Sequence, residues 1–145
     1  MSHTVEILSV GTELLLGGIV NSDAQALSRE LSGLGLNVLY HSVVGDNPER
    51  VKAAAELARS RADVLVTTGG LGPTCDDLTK QALAEAFGKK LVFHPECAQN
   101  IRCFFARVGR EMTENNLQQA WLPEGCHVLD NAWGTAPGCA FEAEG

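Results

Sequence analysis

A glycine-rich segment is the part of this sequence best suited to hold an anion. Residues 69–77 read GGLGPTCDD, and glycines at 69, 70 and 72 let the backbone turn sharply and approach a ligand without a Cβ in the way. The segment lies between a strand pattern and a helix pattern, so the positive end of that helix adds to its N–H groups. We expect Gly69, Gly70, Gly72 and Thr74 to contact ligand phosphates; the alternative is a tight turn without a ligand.

Two better-known phosphate-binding loops do not fit this segment. A dinucleotide fingerprint needs a third glycine at position 75, which is Cys75, and it normally follows the first strand. A Walker A loop needs Gly-Lys-Ser/Thr, which is absent from the sequence. The segment is therefore not predicted to bind ligands in either of these modes.

Carboxylates follow two of the predicted strands and suggest a metal ion. Asp46 follows the second strand, and Asp76 and Asp77 end the glycine segment after the third. If these strands are neighbours, Asp46 and Asp77 meet. A carboxylate 4 Å from a phosphate costs about 4 kcal/mol at an effective dielectric of 20, which helix dipoles near 1 kcal/mol cannot offset. We therefore predict Mg²⁺ bound by Asp46, Asp77 and Asp76; the alternative for Asp76 is a helix cap.

Further polar residues are weaker candidates. Glu13 follows the first strand and is placed to join the metal or contact a sugar hydroxyl; a solvated loop acid is the alternative. Asn21 and Asn115 are amides that can read a base or pterin edge, with Gln119 one helical turn from Asn115; solvated helix surface is the alternative. Lys80 is expected to form a local ion pair with Asp77 rather than a phosphate contact.

A second glycine loop occurs near the end of the chain. Residues 134–138 read GTAPG, and the Thr135 hydroxyl beside Gly134 is suited to a phosphate oxygen. A plain turn explains this composition equally well.

The elements that must position these residues alternate between strands and helices. Apolar runs at residues 5–10, 36–44 and 63–68 predict three buried strands. Helices are predicted from Asn21, from the Asn47-Pro48-Glu49 start and after Asp77. Short connections imply right-handed βαβ units and a parallel sheet covered on both faces. Beyond it we expect helices at residues 95–108 and 113–121 and short strands at 128–129 and 139–141.

Composition limits the class of protein. A chain of 145 residues fits one domain, and a formal net charge of −7 argues against nucleic-acid binding. The five cysteines show no C-x-x-C spacing, which argues against the usual redox and zinc motifs. No apolar run is long enough for an export signal or a membrane span, so we expect a cytoplasmic protein.

Several motifs together resemble a known family. GTELLLG at 11–17, VVGDN at 43–47, TGGLGPTCDDLTK at 68–80, MTENNLQQA at 112–120 and GTAPG at 134–138 are similar to the N-terminal domain of the competence/damage-inducible CinA proteins. That domain belongs to the molybdopterin-binding superfamily of MoaB and MogA. The resemblance covers essentially the whole chain.

The resemblance implies both a fold and an activity. The fold would be a three-layer αβα domain with a mostly parallel sheet, in a homo-oligomer. The activity would be metal-dependent hydrolysis of ADP-ribose, within a protein linked to pyridine nucleotide recycling. Asp46 and Asp77, the loop at 69–74 and the GTAPG segment are the residues that match the family's site. Asn21, Asn115 and Glu13 match less specifically.

The resemblance also leaves alternatives open. The family's domain continues through a further strand and a Pro-Gly-Val-Pro segment that this single domain of residues 1–145 lacks, as it lacks the deamidase domain of full-length relatives. One alternative is a molybdopterin-binding or adenylyl-transfer domain of cofactor biosynthesis. The other is a non-catalytic ligand-sensing or oligomerisation module.

Overall fold

A parallel sheet forms the centre of the molecule. The computed structural model describes residues 3–144 and contains strands β1 (Thr4–Val10), β2 (Asn37–Val44) and β3 (Val64–Thr68) in the order β2-β1-β3. All three strands are parallel, and β1 is buried from Val5 to Val10. The three predicted strands are confirmed to within a residue. Their order means that β1 separates β2 from β3, so the expectation that these two strands are neighbours is wrong.

Helices cover both faces of this sheet. Helix α1 (Thr12–Leu15) is one short turn, and α2 (Ser22–Gly33), α3 (Pro48–Arg59) and α4 (Thr79–Ala86) follow the strands. Leu8 and Val10 of β1 pack against Val51 of α3 and Ala82 of α4. Side chains alternate between faces along a strand, so Ser9 points the other way, and there its hydroxyl accepts a hydrogen bond from Asn21 at the start of α2. The predicted three-layer arrangement is confirmed.

The start of α3 follows directly from its sequence. Asn47 lies before the first turn and its side-chain oxygen accepts a 3.0 Å hydrogen bond from the Arg50 amide. Pro48 occupies the first helical position, where a missing N–H costs nothing because no helical partner exists there. These local signals fix where α3 begins. They therefore fix the end of the loop between β2 and α3, and this loop carries Asp46.

The second half of the chain forms a smaller apolar cluster. Strands β4 (Leu91–Phe93) and β5 (Trp121–Pro123) pair antiparallel, as do β6 (His127–Leu129) and β7 (Gly138–Ala140). Helix α5 (Pro95–Val108) packs against Leu122 of β5, Val128 of β6 and Cys139 of β7. The cluster is centred on Cys97, Ala98, Ile101, Ala120 and Leu122. On α5, Ile101 is buried as predicted, but Val108 is 44% exposed because the buried face runs through Cys97 and Ala98 instead.

The predicted helix at 113–121 is a 3₁₀ helix at Glu114–Ala120. A reciprocal cap starts it, with the Asn116 side chain accepting from the Thr113 amide and hydroxyl. Trp121 begins β5, which the sequence did not predict. No helix within residues 3–144 combines the length and apolar character needed to cross a bilayer.

Candidate functional site

Three loops meet at one edge of the sheet because the strands end level with one another. Val10 of β1 pairs with Val44 of β2, and Ser9 of β1 pairs with Thr68 of β3. Ligands of open α/β sheets bind beyond the carboxyl ends of strands, and this edge carries the loops that begin at Gly11, Gly45 and Gly69. The loop after β1 lies between the other two.

Gly69 and Gly70 cannot be replaced without moving the backbone. Their φ angles are +85° and +65°, in the left-handed region that side chains disfavour. A Cβ at Gly69 would overlap the Val10 carbonyl group, and one at Gly70 would overlap the Thr79 side chain. The Thr79 amide also donates to the Gly70 carbonyl at 3.2 Å. Gly69 and Gly70 are therefore in close contact with the end of β1 and the start of α4, respectively.

Asp77 closes the glycine loop from within. Its Oδ2 atom accepts hydrogen bonds from the Thr74 amide at 2.9 Å and the Thr74 hydroxyl at 2.5 Å. A Cβ at Gly72 would lie 2.6 Å from the same oxygen, so the carboxylate rests directly on this glycine. Two predicted ligand contacts, Gly72 and Thr74, thus face an acid of the same loop.

The environment of Asp77 favours its charged form. Burial acts to raise the pKa of Asp77, but hydrogen bonds from the Thr74 side chain and backbone and from the Gly72 backbone outweigh it. The Lys80 charge acts in the same direction as these hydrogen bonds. The pKa therefore lies below its ordinary value, and Asp77 is an anion at neutral pH.

Asp76 does not cap the following helix. Helix α4 begins at Thr79 after Leu78, and no side chain caps its first turn. Asp76 is exposed, with the Cys75 thiol 3.8 Å from its Oδ1 atom. The helix-cap alternative for this acid is therefore wrong.

Asp46 braces the loop after β1. Its Oδ2 atom accepts from the Thr12 amide at 2.9 Å, and its own amide donates to the Thr12 hydroxyl at 3.1 Å. This pair of hydrogen bonds connects Asp46, at the end of β2, to Thr12, just after the end of β1. Asp77 lies one strand further across, in the loop after β3.

The three acids predicted to bind metal are not one preformed cluster. Two strand spacings of about 4.8 Å separate β2 from β3, whereas a shared cation would hold its ligands about 3–4 Å apart. Within residues 3–144, the structure brings together a single group of three candidate metal ligands, and it contains none of Asp46, Asp76 and Asp77.

A cleft of about 200 Å³ opens beside these loops. Its walls come from the end of β1, the α1–α2 connection, the start of α2 and the end of β3: Val10, Glu13, Leu14, Ile19, Val20, Asn21, Ser22, Asp23, Thr68 and Gly69. We call this the strand-end cleft. It brings together Glu13, Asn21 and Gly69 of the predicted site residues, whereas Asp46 and Asp77 stand outside its lining.

Asn21 is held by two hydrogen bonds at the strand-end cleft, and the Glu13 side chain lies against Gly11. The Asn21 amide donates to Ser9 Oγ at 2.9 Å and its oxygen accepts from the Ala24 amide at 3.3 Å, so the residue caps α2. The Glu13 carboxylate folds back over Gly11, where an added Cβ would lie 2.7 Å from its Oε1 atom. The wall therefore combines two acids, Glu13 and Asp23, with one amide, two hydroxyl side chains and several apolar side chains.

Lys80 does not form the predicted ion pair with Asp77. Its ammonium group is buried and donates to the backbone carbonyls of Gln118 at 3.2 Å and Gln119 at 3.1 Å. Burial lowers its pKa, against the opposing effect of nearby Cys139, Cys97 and Asp77. Helix α4 starts at Thr79, so Lys80 lies in its first turn, and its side chain extends to the 3₁₀ helix. The sequence did not predict this start, because the helix was expected to begin directly after Asp77.

Asn115 does not line the strand-end cleft. In a 3₁₀ helix residues three apart share a face, so Asn115 and Gln119 do not point the same way as they would in an α-helix. Asn115 is exposed, whereas Gln119 is only 2% exposed. The predicted shared face is wrong for this reason.

The GTAPG loop lines a different cleft. Gly134, Thr135 and Pro137 lie opposite the α5 residues Cys97, Asn100, Cys103, Phe104 and Arg107 around a cleft of about 340 Å³, completed by Asp130, Asn131 and Ala132. We call this the α5 cleft. Its lining shares no residue with the strand-end cleft. Gly134 and Thr135 therefore line a cleft separate from the one that Gly69 lines.

Asn131 organises this second loop, a role that was not predicted from the sequence. Its side-chain oxygen accepts from the amides of Trp133 and Gly134 at 2.9 and 3.0 Å, and its amide donates to the Ala136 carbonyl at 2.9 Å. An Asn side chain that bonds the backbone two residues on is a common turn device, so Asn131 before Gly134 was the available signal.

Comparison with known proteins places the chain in a family. The model of the family described as "Probable molybdopterin binding domain" matches residues 6–144. The chain is 56% identical over 140 residues to a putative competence-damage inducible protein of Acetivibrio thermocellus and 58% identical over 140 residues to a CinA-like protein of Dictyoglomus turgidum. Each alignment covers 97% of this chain and 34% of the relative, so the chain spans about a third of the length of these proteins.

Solved structures agree with this placement. CinA of Thermoplasma acidophilum, whose function is described as unknown, superimposes with a TM-score of 0.86 at 31% identity, over 94% of this chain and 80% of that one. MoaB of Thermus thermophilus, a molybdopterin biosynthesis enzyme, gives a TM-score of 0.58 at 23% identity over 83% of this chain and 79% of that one, which shows a shared fold. The chain belongs to the probable molybdopterin binding domain family, as the N-terminal domain of a CinA-like protein.

Proposed function

We propose that the strand-end loops bind a small phosphate-bearing ligand of nucleotide or pterin type. The observation that carries this proposal is the hydrogen bonding of Asp77. The loop at 69–74 already holds a carboxylate through the Thr74 amide and hydroxyl and the Gly72 backbone, so its donors are arranged for an anion. A family described as molybdopterin-binding supports a small-molecule ligand for this chain.

The strand-end cleft suits the organic part of such a ligand. Leu14, Ile19 and Val20 provide apolar surface, while Glu13 and Asn21 provide oxygen atoms for hydroxyl or amine groups. Ligand sites commonly combine a mostly apolar wall with a few convergent polar groups. Gly69 belongs to both the cleft and the glycine segment, so a ligand in the cleft would extend its phosphates towards Gly70, Gly72 and Thr74.

We further propose that the reaction is hydrolysis of a phosphoanhydride in a nucleotide-sugar such as ADP-ribose. A bound Mg²⁺ would neutralise and polarise the pyrophosphate. Mg²⁺ is commonly held by one or two carboxylates together with ligand phosphates, and Asp77, ionised beside the glycine segment, fits this role. Asp46 would act by fixing the loop after β1 through Thr12, and Asp76 would remain available from its exposed position.

The activity test measures release of AMP from ADP-ribose with and without Mg²⁺. We expect turnover that needs the metal and that falls by at least tenfold in Asp77→Asn, with a smaller loss in Asp46→Asn. Glu56→Gln, on the exposed surface of α3, is the matched control and should behave as the parent protein. Metal-independent turnover, or unchanged rates in both aspartate variants, would remove these acids from the mechanism.

The same protein samples separate the two other candidate functions. Saturable binding of a pterin phosphate without ADP-ribose turnover would favour molybdopterin binding, which the family description supports, or adenylyl transfer. Nucleotide binding without turnover under any metal would favour a ligand-sensing module. Failure of every ligand to bind would overturn the proposed site itself.

A further inference from the structure

Three side chains able to bind metal lie together at the start of α5. One ligand atom each from His94, Glu96 and Cys97 can be chosen so that all three lie within 4.8 Å of one another. The His94 Nδ1 and Glu96 Oε1 atoms are already 2.9 Å apart. In the described part of the chain, no other three histidines, cysteines or acids come this close. Neither His94 nor Glu96 lines the strand-end cleft, so the cluster is independent of the proposed function.

From this geometry we infer that His94, Glu96 and Cys97 bind a zinc ion. Imidazole, carboxylate and thiolate together are ligands typical of Zn²⁺, whereas Mg²⁺ prefers oxygen alone. Zinc bonds of about 2.0–2.3 Å place tetrahedral ligands about 3.3–3.8 Å apart, so closing the cluster around an ion needs shifts of about 1 Å. The Glu96 side chain is 63% exposed and is free to supply most of that movement.

The side chains of His94 and Cys97 have few hydrogen-bond partners outside this cluster. The His94 ring is hydrogen bonded to Glu96 alone, and its Nε2 atom is fully buried with no partner among the described residues. A buried polar atom without a partner calls for an explanation, and an imidazole that nothing else holds keeps its capacity as a metal ligand. Cys97 is only 3% exposed, and its thiol makes no hydrogen bond to any described residue.

Charge balance is compatible with a divalent cation at this place. The positive end of α5 alone would oppose a cation. The ligand set brings one carboxylate and one thiolate, so the assembled centre with Zn²⁺ carries no net charge. The competing explanation is a plain helix start, in which Glu96 merely favours the positive helix end and contacts His94.

Three protein ligands leave one tetrahedral position open. Cys97 also lines the α5 cleft, together with Asp130 and Thr135. The fourth position would therefore be filled from that cleft, by water or by a donor atom of a small ligand, as in zinc sites that keep an exchangeable position.

The test is zinc binding by the metal-free protein, measured by competition with a chromophoric chelator. We expect one zinc per chain, with affinity reduced about ten- to hundredfold in Glu96→Gln and binding at this site lost in Cys97→Ala. Glu96→Gln changes an exposed side chain, so its result does not depend on a core substitution. Cobalt replacement adds a second readout, because a sulfur-to-cobalt charge-transfer band should appear in the parent protein and vanish in Cys97→Ala.

Matched controls separate this site from other thiols. Cys103→Ser, on the exposed surface of the same helix, and Cys75→Ser should keep both zinc affinity and the cobalt band. Absence of stoichiometric zinc binding, equal affinity in Glu96→Gln and the parent, or a cobalt band that follows Cys103 or Cys75 would each overturn the inference. None of these outcomes depends on ADP-ribose turnover.

Discussion

Gly69 and Val10 are in such close contact that the backbone of one leaves no room for a side chain on the other. The Val10 carbonyl occupies the place of any Cβ at position 69, and Gly69 has a φ of +85°. This contact joins the end of β1 to the end of β3 and fixes where the glycine segment starts.

Replacement of Gly69 by alanine should therefore destabilise the protein strongly. The positive φ costs about 1–3 kcal/mol for a non-glycine residue, and overlap with the Val10 carbonyl adds to it. Gly88→Ala is the matched control, since Gly88 has a φ of +65° but no neighbour within 4 Å of an added Cβ. Urea unfolding should show the larger loss for Gly69→Ala; equal losses would mean that the Val10 contact is unimportant.

Asn21 and Asn47 are a natural pair for separating ligand binding from stability. Each caps a helix through its side-chain oxygen, α2 and α3 respectively, but only Asn21 lines the strand-end cleft. Each alanine variant should lose about 1 kcal/mol of stability. Only Asn21→Ala should weaken ligand binding, measured by calorimetry with ADP-ribose. Equal affinities in the two variants would exclude Asn21 from the ligand site.

Asp77 should control the mobility of the glycine segment. Asp77→Asn removes the charged acceptor of the Thr74 hydrogen bonds, so amide exchange at Gly72 and Thr74 should speed up. Asp76→Asn, one residue away and exposed, should leave those amides unchanged. Because the pKa of Asp77 is lowered, the protection should persist as pH falls to the ordinary Asp range of about 4 and be lost below it. Similar exchange in both variants would contradict this role.

Glu6 and Arg61 should dominate the acid sensitivity of the fold. Glu6 is 1% exposed and accepts two hydrogen bonds of 2.8 Å from Arg61 and one of 2.6 Å from Ser42. Burial acts to raise the pKa of Glu6, but these hydrogen bonds and the Arg61 charge outweigh it and lower the pKa. The stabilisation is therefore present above the unfolded-state pKa of about 4.3 and is lost as pH falls through the folded-state pKa.

Arg61→Ala should lower the urea midpoint at pH 7, because Glu6 would lose its buried partner. Its midpoint should also fall less steeply between pH 5 and pH 3 than that of the parent, since the favourable shift of Glu6 has been removed. Arg29→Ala on the exposed surface of α2 should change neither quantity. Parallel acid profiles in Arg61→Ala and the parent would show that another carboxyl group controls the decline.

A ligand that binds at the strand-end loops should raise the unfolding temperature. The expected stabilisation is about 2.7 kcal/mol at a free concentration one hundred times the dissociation constant. ADP-ribose and a pterin phosphate, each with and without Mg²⁺, identify the ligand class and the metal requirement together. Ile19→Glu places a carboxylate in the wall of the strand-end cleft and should abolish the shift; an unchanged shift in this variant would place the ligand elsewhere.

Several expectations stay predictions. The homo-oligomer is one that the family resemblance implies. The cytoplasmic location, the Mg²⁺ requirement and the single domain at residues 1–145 are predictions made from the residues themselves.

The sequence by itself determined the local elements and the family. The three strands and the Asn47-Pro48 helix start depend on neighbouring residues and on backbone sterics, so they can be read in order along the chain. The motif order in turn identified the CinA-like domain, which the comparisons confirm.

Only the tertiary structure decided which side chains meet. The strand order puts β1 between the strands that precede Asp46 and Asp77. The buried Lys80 ammonium group donates to the Gln118 and Gln119 carbonyls and does not pair with Asp77. The GTAPG loop lines a cleft together with α5 and does not line the strand-end cleft. The physical reason is that pairing between distant segments depends on how apolar faces pack across the whole chain, which spacing along the sequence does not encode.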